Sequence, residues 1–185
     1  LAFAQEGKPA KPAGQPADAA APAGQPSEAE MMEMYKKFGE PGPMHARLGK
    51  AAGTWKAKTT MWMAPGAPAS ESEGTAVMTP MMGGRFMTCD FKGNTPMGPF
   101  KGMAINGYNT HSGKFESVWV DDMSVGMMYM TGTSVDDGKT ITYTGEMIDP
   151  MTKQNMKFKN IEKLVDDNTM VFEMYQFMPD GTEFK

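Results

Sequence analysis

The chain has one cysteine, Cys89, in 185 residues, which excludes an intramolecular disulfide. Arginine is almost as scarce, with only Arg47 and Arg85. The two histidines, His45 and His111, come without zinc-ligand spacing, and no Gly-x-Ser-x-Gly elbow is present. On these grounds the protein is expected not to be an enzyme and to need no cofactor. No apolar run reaches the ~20 residues of a membrane-spanning helix. The 18 basic residues are outnumbered by 22 acidic ones, and a net charge of −4 offers nucleic acid no basic face. Leucine occurs three times and isoleucine four.

Methionine stands where those aliphatics usually do, with 22 copies. Its unbranched thioether chain adapts its shape, so the core is expected to be more compliant than one of leucine. Cys89 lies within an apolar strand pattern, which favours a buried thiol over a reactive one.

Residues 1–26 are rich in Ala, Pro, Gly and Gln and have too little apolar bulk to offset ordering entropy. Leu1-Ala2-Phe3-Ala4-Gln5 resembles the end of a secretory signal, so the protein is expected to be exported, periplasmic or extracellular. Residues 27–52 are expected to form lid helices. Ser27 and Glu30 fit a capping box; Met31, Met34, Tyr35 and Phe38 follow at helical spacing; Gly39 and Pro41 end the run. A short second helix is expected from Pro43 to Lys50.

From Gly53 the period falls to two. The pattern predicts strands at Thr54–Met63, Glu73–Thr79, Arg85–Phe91, Phe100–Tyr108, Lys114–Asp121, Val125–Thr133, Thr140–Met147, Gln154–Leu164 and Met170–Met178, with a last one near Glu183. Turn residues separate them, as in Asp136-Asp137-Gly138 and Pro179-Asp180-Gly181. Consecutive strands without helices between them predict an all-β, antiparallel, up-and-down barrel over 53–185. Trp55, Ala57, Thr59 and Met61 are expected to point inward, as are Phe115, Ser117, Trp119 and Asp121. Around Met128, Tyr129 and Met130 both faces are apolar and the register is ambiguous.

Gly53-Thr54-Trp55, directly after a short helix, resembles the calycin superfamily, in which such a tryptophan plugs a barrel end beneath a basic side chain. Arg85 is the candidate for that partner. Together with His45-x-x-Leu48, Trp62, Pro65, Gly74, Gly83-Gly84-Arg85-Phe86, Gly102, Gly107-Tyr108-Asn109 and Trp119-x-Asp121, the chain from about residue 43 onward resembles the bacterial family known as domain of unknown function 1579. That resemblance implies a lipocalin-like barrel and implies no activity.

A barrel of this size either fills with side chains or holds one small ligand. For the hollow case, Trp55, Met61, Met87, Tyr108, Trp119 and Tyr129 are the expected liners, Arg85 and Asp121 the polar anchors, and His45 a group on the lid. The ligand would be small and lipophilic or weakly acidic, with Arg85 anchoring an anion. For the filled case, Arg85 and Asp121 would form a buried structural pair in a scaffold or interaction protein, with Met31 to Met34 facing a partner. Methionine-based copper(I) handling is a third reading, from Met61-x-Met63 and Met128-x-Met130 with His45 or His111. Asp136-Asp137-Gly138 and Asp166-Asp167-Asn168 lack a calcium loop's distal acid and are read as turns, and no metal site is expected. Oligomeric state is not encoded in any motif.

Overall fold

The computed structural model describes residues 26–149 and 152–185. The segment read as an export signal and linker lies outside these residues, Pro26 excepted, as does Pro150. The chain divides into two units, Leu1–Gly39 and Glu40–Lys185.

The first unit contains helix α1 (Glu28–Phe38). Its start is fixed by the expected capping box: the Glu30 amide donates to Ser27 Oγ (3.3 Å) and the Ser27 amide to Glu30 Oε2 (2.8 Å). Glu28 and Glu30 in the first turn and Lys36 and Lys37 in the last complement the helix dipole. Met31, Met34, Tyr35 and Phe38 are all exposed.

The second unit opens with helix α2 (Pro43–Gly49). Pro43 suits the first turn because its missing N–H would have no partner there. The Gly42 amide donates to His45 Nδ1 at 2.9 Å, so a side chain three residues on caps the helix. Ten strands follow: β1 Gly53–Met61, β2 Ser70–Met81, β3 Phe86–Thr95, β4 Gly98–Asn109, β5 Lys114–Asp121, β6 Met128–Thr133, β7 Thr140–Ile148, β8 Asn155–Asp166, β9 Thr169–Phe177 and β10 Glu183–Phe184. Each pairs antiparallel with the next in chain order, so the up-and-down topology is as the sequence predicts. Strands β2 to β4 run longer than expected. Pairing with a neighbouring strand carries residues of weak strand propensity into the ladder: Ser70 opposite Met61, Gly98 opposite Thr95 and Pro99 opposite Asn94.

The sheet curls into a half-barrel. Among the described residues, no pairing joins β10 to β1. The last strand, β10, has two residues.

The curl has a local cause. Strand glycines sit directly opposite aromatic residues: Gly102 faces Phe91, Gly107 faces Phe86, Gly132 faces both Phe115 and Tyr143, and Gly145 faces Phe158. Rings lie over the bare backbone: Trp119 over Gly102, Phe86 over Gly107, Tyr143 over Gly132 and Phe158 over Gly145. A methyl on Gly145 would stand 2.6 Å from Phe158 Cζ, and one on Gly132 would stand 2.7 Å from Tyr143 Cδ1. Glycine bends the strand, and the neighbouring ring covers the gap.

The core sits on the concave face. Phe115, Met130, Ile141, Tyr143 and Phe158 are its buried centre, with Met44, Leu48, Tyr108, Trp119, Met128 and Met147 packed around it. Helix α2 rests on one end of the half-barrel. A methyl on Gly138, in the β6–β7 turn, would lie 2.9 Å from Arg47 Cγ and 3.5 Å from Met44 Sδ.

Candidate functional site

Alternation of burial sorts the expected liners. Trp55, Ala57, Thr59 and Met61 are half-buried while Lys56, Lys58 and Thr60 are exposed, so β1 faces inward as expected. Met87, Phe115 and Ser117 are buried, and Tyr108, Trp119 and Asp121 half-buried, on the same concave surface. Tyr129 is a correction. It is 53% exposed, and its neighbours Met128, Met130 and Gly132 turn inward. With apolar groups on both faces of β6, only its partners decide the register: Met130 opposes Ser117 and Gly145, both on the concave side.

At the end away from α2 the concave face is aromatic. The Trp119 and Phe100 rings stack at 6.2 Å, and Phe91 meets Phe100 at 6.0 Å. Trp119 Nε1 donates to Asp121 Oδ2 at 2.8 Å, so Asp121 holds the indole in place. Met128, Met147 and Met156 continue this belt, half-buried, across β6 to β8. From β1 round to β9, the concave methionines are Met61, Met78, Met87, Met128, Met130, Met147, Met156, Met170 and Met174.

Arg85 and Asp121 are not brought together. Phe86, next to Arg85, is level with Gly107, whereas Asp121 is level with Gly102, five residues along β4. At about 3.3 Å per residue the two lie at opposite ends of the strands. Arg85 Nη1 donates to the Met82 carbonyl at 3.1 Å, within the Met82-Gly83-Gly84 turn. Met82, Gly83 and Gly84 all have positive φ there. Trp55 Nε1 donates to the Ala51 carbonyl at 2.8 Å, tying the exit of α2 to the first strand.

The end beneath α2 is polar, which the sequence pattern does not predict. Asn106, Tyr143 and Asn160 are 8%, 0% and 3% exposed. Among the described residues, their Asn106 Oδ1, Tyr143 Oη and Asn160 Oδ1 atoms have no hydrogen-bond partner. An enclosed polar atom left so costs about 1–3 kcal/mol. Asn160 Nδ2 donates to Met130 Sδ at 3.0 Å, which fixes the carboxamide's orientation. Tyr143 and Asn160 are opposite one another across β7 and β8, and Glu162 follows two residues along the same face, opposite Ile141.

Glu162 is half-buried, and that burial pushes its pKa up to about 7. Burial, and then the nearby Glu162 charge, raises the Tyr143 phenol well above its ordinary value. Burial, Glu162 and Asp90 push the Cys89 thiol up to about 11, leaving it protonated and unreactive at neutral pH. Cys89 is on β3 and Glu162 on β8, so the Glu162 charge acts on the thiol across the concave space. A cleft of about 30 Å³ adjoins Glu162, lined also by Arg47, Leu48, Ala51, Lys139 and Leu164. Arg47 is engaged by other groups: its Nη2 donates to the Lys139 carbonyl at 3.4 Å, and its guanidinium is attracted by the Asp136 charge. Buried His45 meets Tyr108 edge-on at 6.0 Å, and Tyr108 meets Phe115 at 4.9 Å, so rings line the path between lid and core.

The family model for a protein of unknown function (DUF1579) matches residues 40–185, the whole second unit. The chain belongs to the DUF1579 family. No curated protein matches it. The DUF1579 match covers α2 together with all ten strands, so the family unit includes the helix that rests on the polar end as well as the sheet.

Among the described residues, no group of three or more His, Cys, Asp and Glu side chains is placed to hold a metal ion. For thioether ligands, Met128 and Met130 share the concave face, but Met63 lies past the end of β1 and is 61% exposed. His111 sits in the β4–β5 turn, where its amide donates to Asn109 Oδ1 at 3.0 Å. Asp136 and Asp166 likewise accept amides of their own turns, from Thr140 and Asn168.

Proposed function

We propose that this DUF1579 protein is an exported, non-catalytic binding protein that takes up a small lipophilic ligand on the concave face of its half-barrel. Export rests on the Leu1–Gln5 pattern. Ligand binding rests on one observation: nine methionines and an aromatic belt line a single curved surface that ends in buried polar atoms lacking protein partners. Methionine side chains repack at low cost, so the surface adapts to an apolar chain rather than demanding one shape. An adaptable apolar wall with a few fixed polar groups is the usual make-up of a small-molecule site. Arg85, held in its own turn, is not required as an anchor, so the weakly acidic ligand class has less support than the lipophilic one.

Tryptophan fluorescence tests this, because Trp55 and Trp119 are both on the concave face. Titration with decanol should give a saturable change with Kd in the micromolar range. Burying about ten methylenes at about 0.8 kcal/mol each sets that scale. No saturable change up to the solubility limit of decanol would overturn the proposal.

A further inference from the structure

Resting on that reading, we infer that the ligand carries a planar aromatic ring, stacked on Trp119 and Phe100 and flanked by Phe91, at the end of the concave face away from α2.

Glycine decides how the protein's own rings lie there. Gly74 and Gly93 are opposite one another on β2 and β3. A methyl on Gly74 would stand 2.8 Å from Phe91 Cζ, and one on Gly93 would stand 2.9 Å from the same atom. One ring thus covers both bare positions. A methyl on Gly102 would meet three atoms of the Trp119 indole, Cζ2, Cη2 and Cε2, at 2.0, 2.4 and 2.8 Å. Close approach of several atoms of one ring lays the indole broadside on the strand, which only a residue without a side chain permits. A ring laid so covers backbone with one face and turns the other to the concave space.

The inward faces stay uncovered. Phe100, opposite Gly93 on β4, is inclined only 24° to the indole, with centroids 6.2 Å apart. That is toward the long end of the ~4.5–7 Å found for aromatic pairs, so the two rings are offset and hide little of each other. Ala57, Ala76 and Ala104 stand level with Gly74, Phe91 and Trp119 on the same face and are too short to roof the rings. Phe91, Phe100 and Trp119 are accordingly half-buried, whereas Phe115, Tyr143 and Phe158 of the core are closed off.

The floor is also held in place. Asp121 Oδ2 accepts from Trp119 Nε1 at 2.8 Å, and Oδ1 accepts the Met123 amide at 3.0 Å, so the indole is fixed before a ligand arrives. Phe91 is tilted 57° to Phe100 with centroids 6.0 Å apart. A ligand ring parallel to Phe100 and Trp119 therefore stacks on both and is inclined to Phe91, and aromatic pairs favour offset-stacked and edge-to-face contacts alike. The Asp121 carboxylate at the edge of this floor disfavours an anionic ring.

Three neutral probes, each with ten carbons and one hydroxyl, decide it: 2-naphthol, its saturated form decahydro-2-naphthol, and decanol, each titrated by calorimetry against the full chain. 2-Naphthol should bind roughly threefold to tenfold tighter than decahydro-2-naphthol, the effect of aromatic contacts beyond area burial. Phe100→Leu keeps apolar bulk without a ring and should lower that ratio at least about twofold. Phe100→Tyr keeps the ring and should retain the ratio, as should Met147→Leu, which changes the methionine belt alone. A wild-type ratio of one would overturn the ring assignment, with decanol binding showing that the lipophilic face still stands. A ratio that Phe100→Leu leaves unchanged, or that Met147→Leu lowers as far, would also overturn it. Binding of none of the three would overturn the lipophilic reading itself.

Discussion

Glu162 is the residue whose environment is most at odds with its chemistry. In the unfolded chain its carboxyl titrates near 4.5; in the fold, burial moves it to about 7. The folded state therefore holds an extra proton between those values. Stability is greatest below about pH 4.5 as far as this group is concerned, declines as pH rises through the window, and is flat above 7. The loss is up to about 3 kcal/mol, because each pH unit across the window removes about 1.4 kcal/mol. Denaturant melts from pH 4.5 to 7.5 should show this slope, and Glu162→Gln should flatten it. A wild-type profile that stays level or rises across the window would contradict the raised carboxyl pKa. Glu162 is not legible in the sequence. It stands in an Ile-Glu-Lys-Leu run whose alternation is ordinary, and only pairing with Ile141 and Phe172 turns it inward. Asn106 and Asn160 are hidden for the same reason: a polar residue in a strand reads as solvent-facing until its neighbours fix the face.

At the scale of elements, the sequence is most readable where turns and two-residue alternation coincide. The predicted and observed bounds of β5 agree, because Lys114 follows a well-marked turn and Asp121 precedes a polar loop. Strand β6 starts at Met128 rather than Val125, since Ser124, Val125 and Gly126 form a loop in which Ser124 Oγ donates to the Gly126 carbonyl. Gly102 tests the packing between elements. A methyl there would lie 2.0 Å from Trp119 Cζ2, nearer than any side chain tolerates. Trp119 is braced by Phe100 and by Asp121, so it has nowhere to move cheaply. Gly102→Ala should cost about 1–3 kcal/mol of stability, the usual range for overpacking, measured by urea unfolding. An unchanged midpoint would mean that the indole does not lie on the bare backbone.

At the scale of the whole barrel unit, the half-barrel leaves β1 and β10 as edges. Lys56 and Lys58 on the outward face of β1 put charge on one of them, a common guard against strand addition. At the other edge, Lys159 bonds Glu183, Lys185 bonds Glu173, and Lys159 Nζ lies 4.7 Å from the Tyr175 ring centre, so the short β10 is clamped by charge rather than by length. The proposed function requires that the concave face, not the convex one, receives the ligand. Methyl-labelled methionine NMR separates the two, because methionines mark more than one surface: Met78, Met87, Met128, Met130, Met147 and Met156 face inward, Met103 faces outward on β4, and Met63 and Met97 are exposed in connections. Addition of decanol should shift the first set and leave the second unmoved. Shifts confined to Met63, Met97 and Met103, or no shifts at all, would show that the concave face is not where a ligand sits.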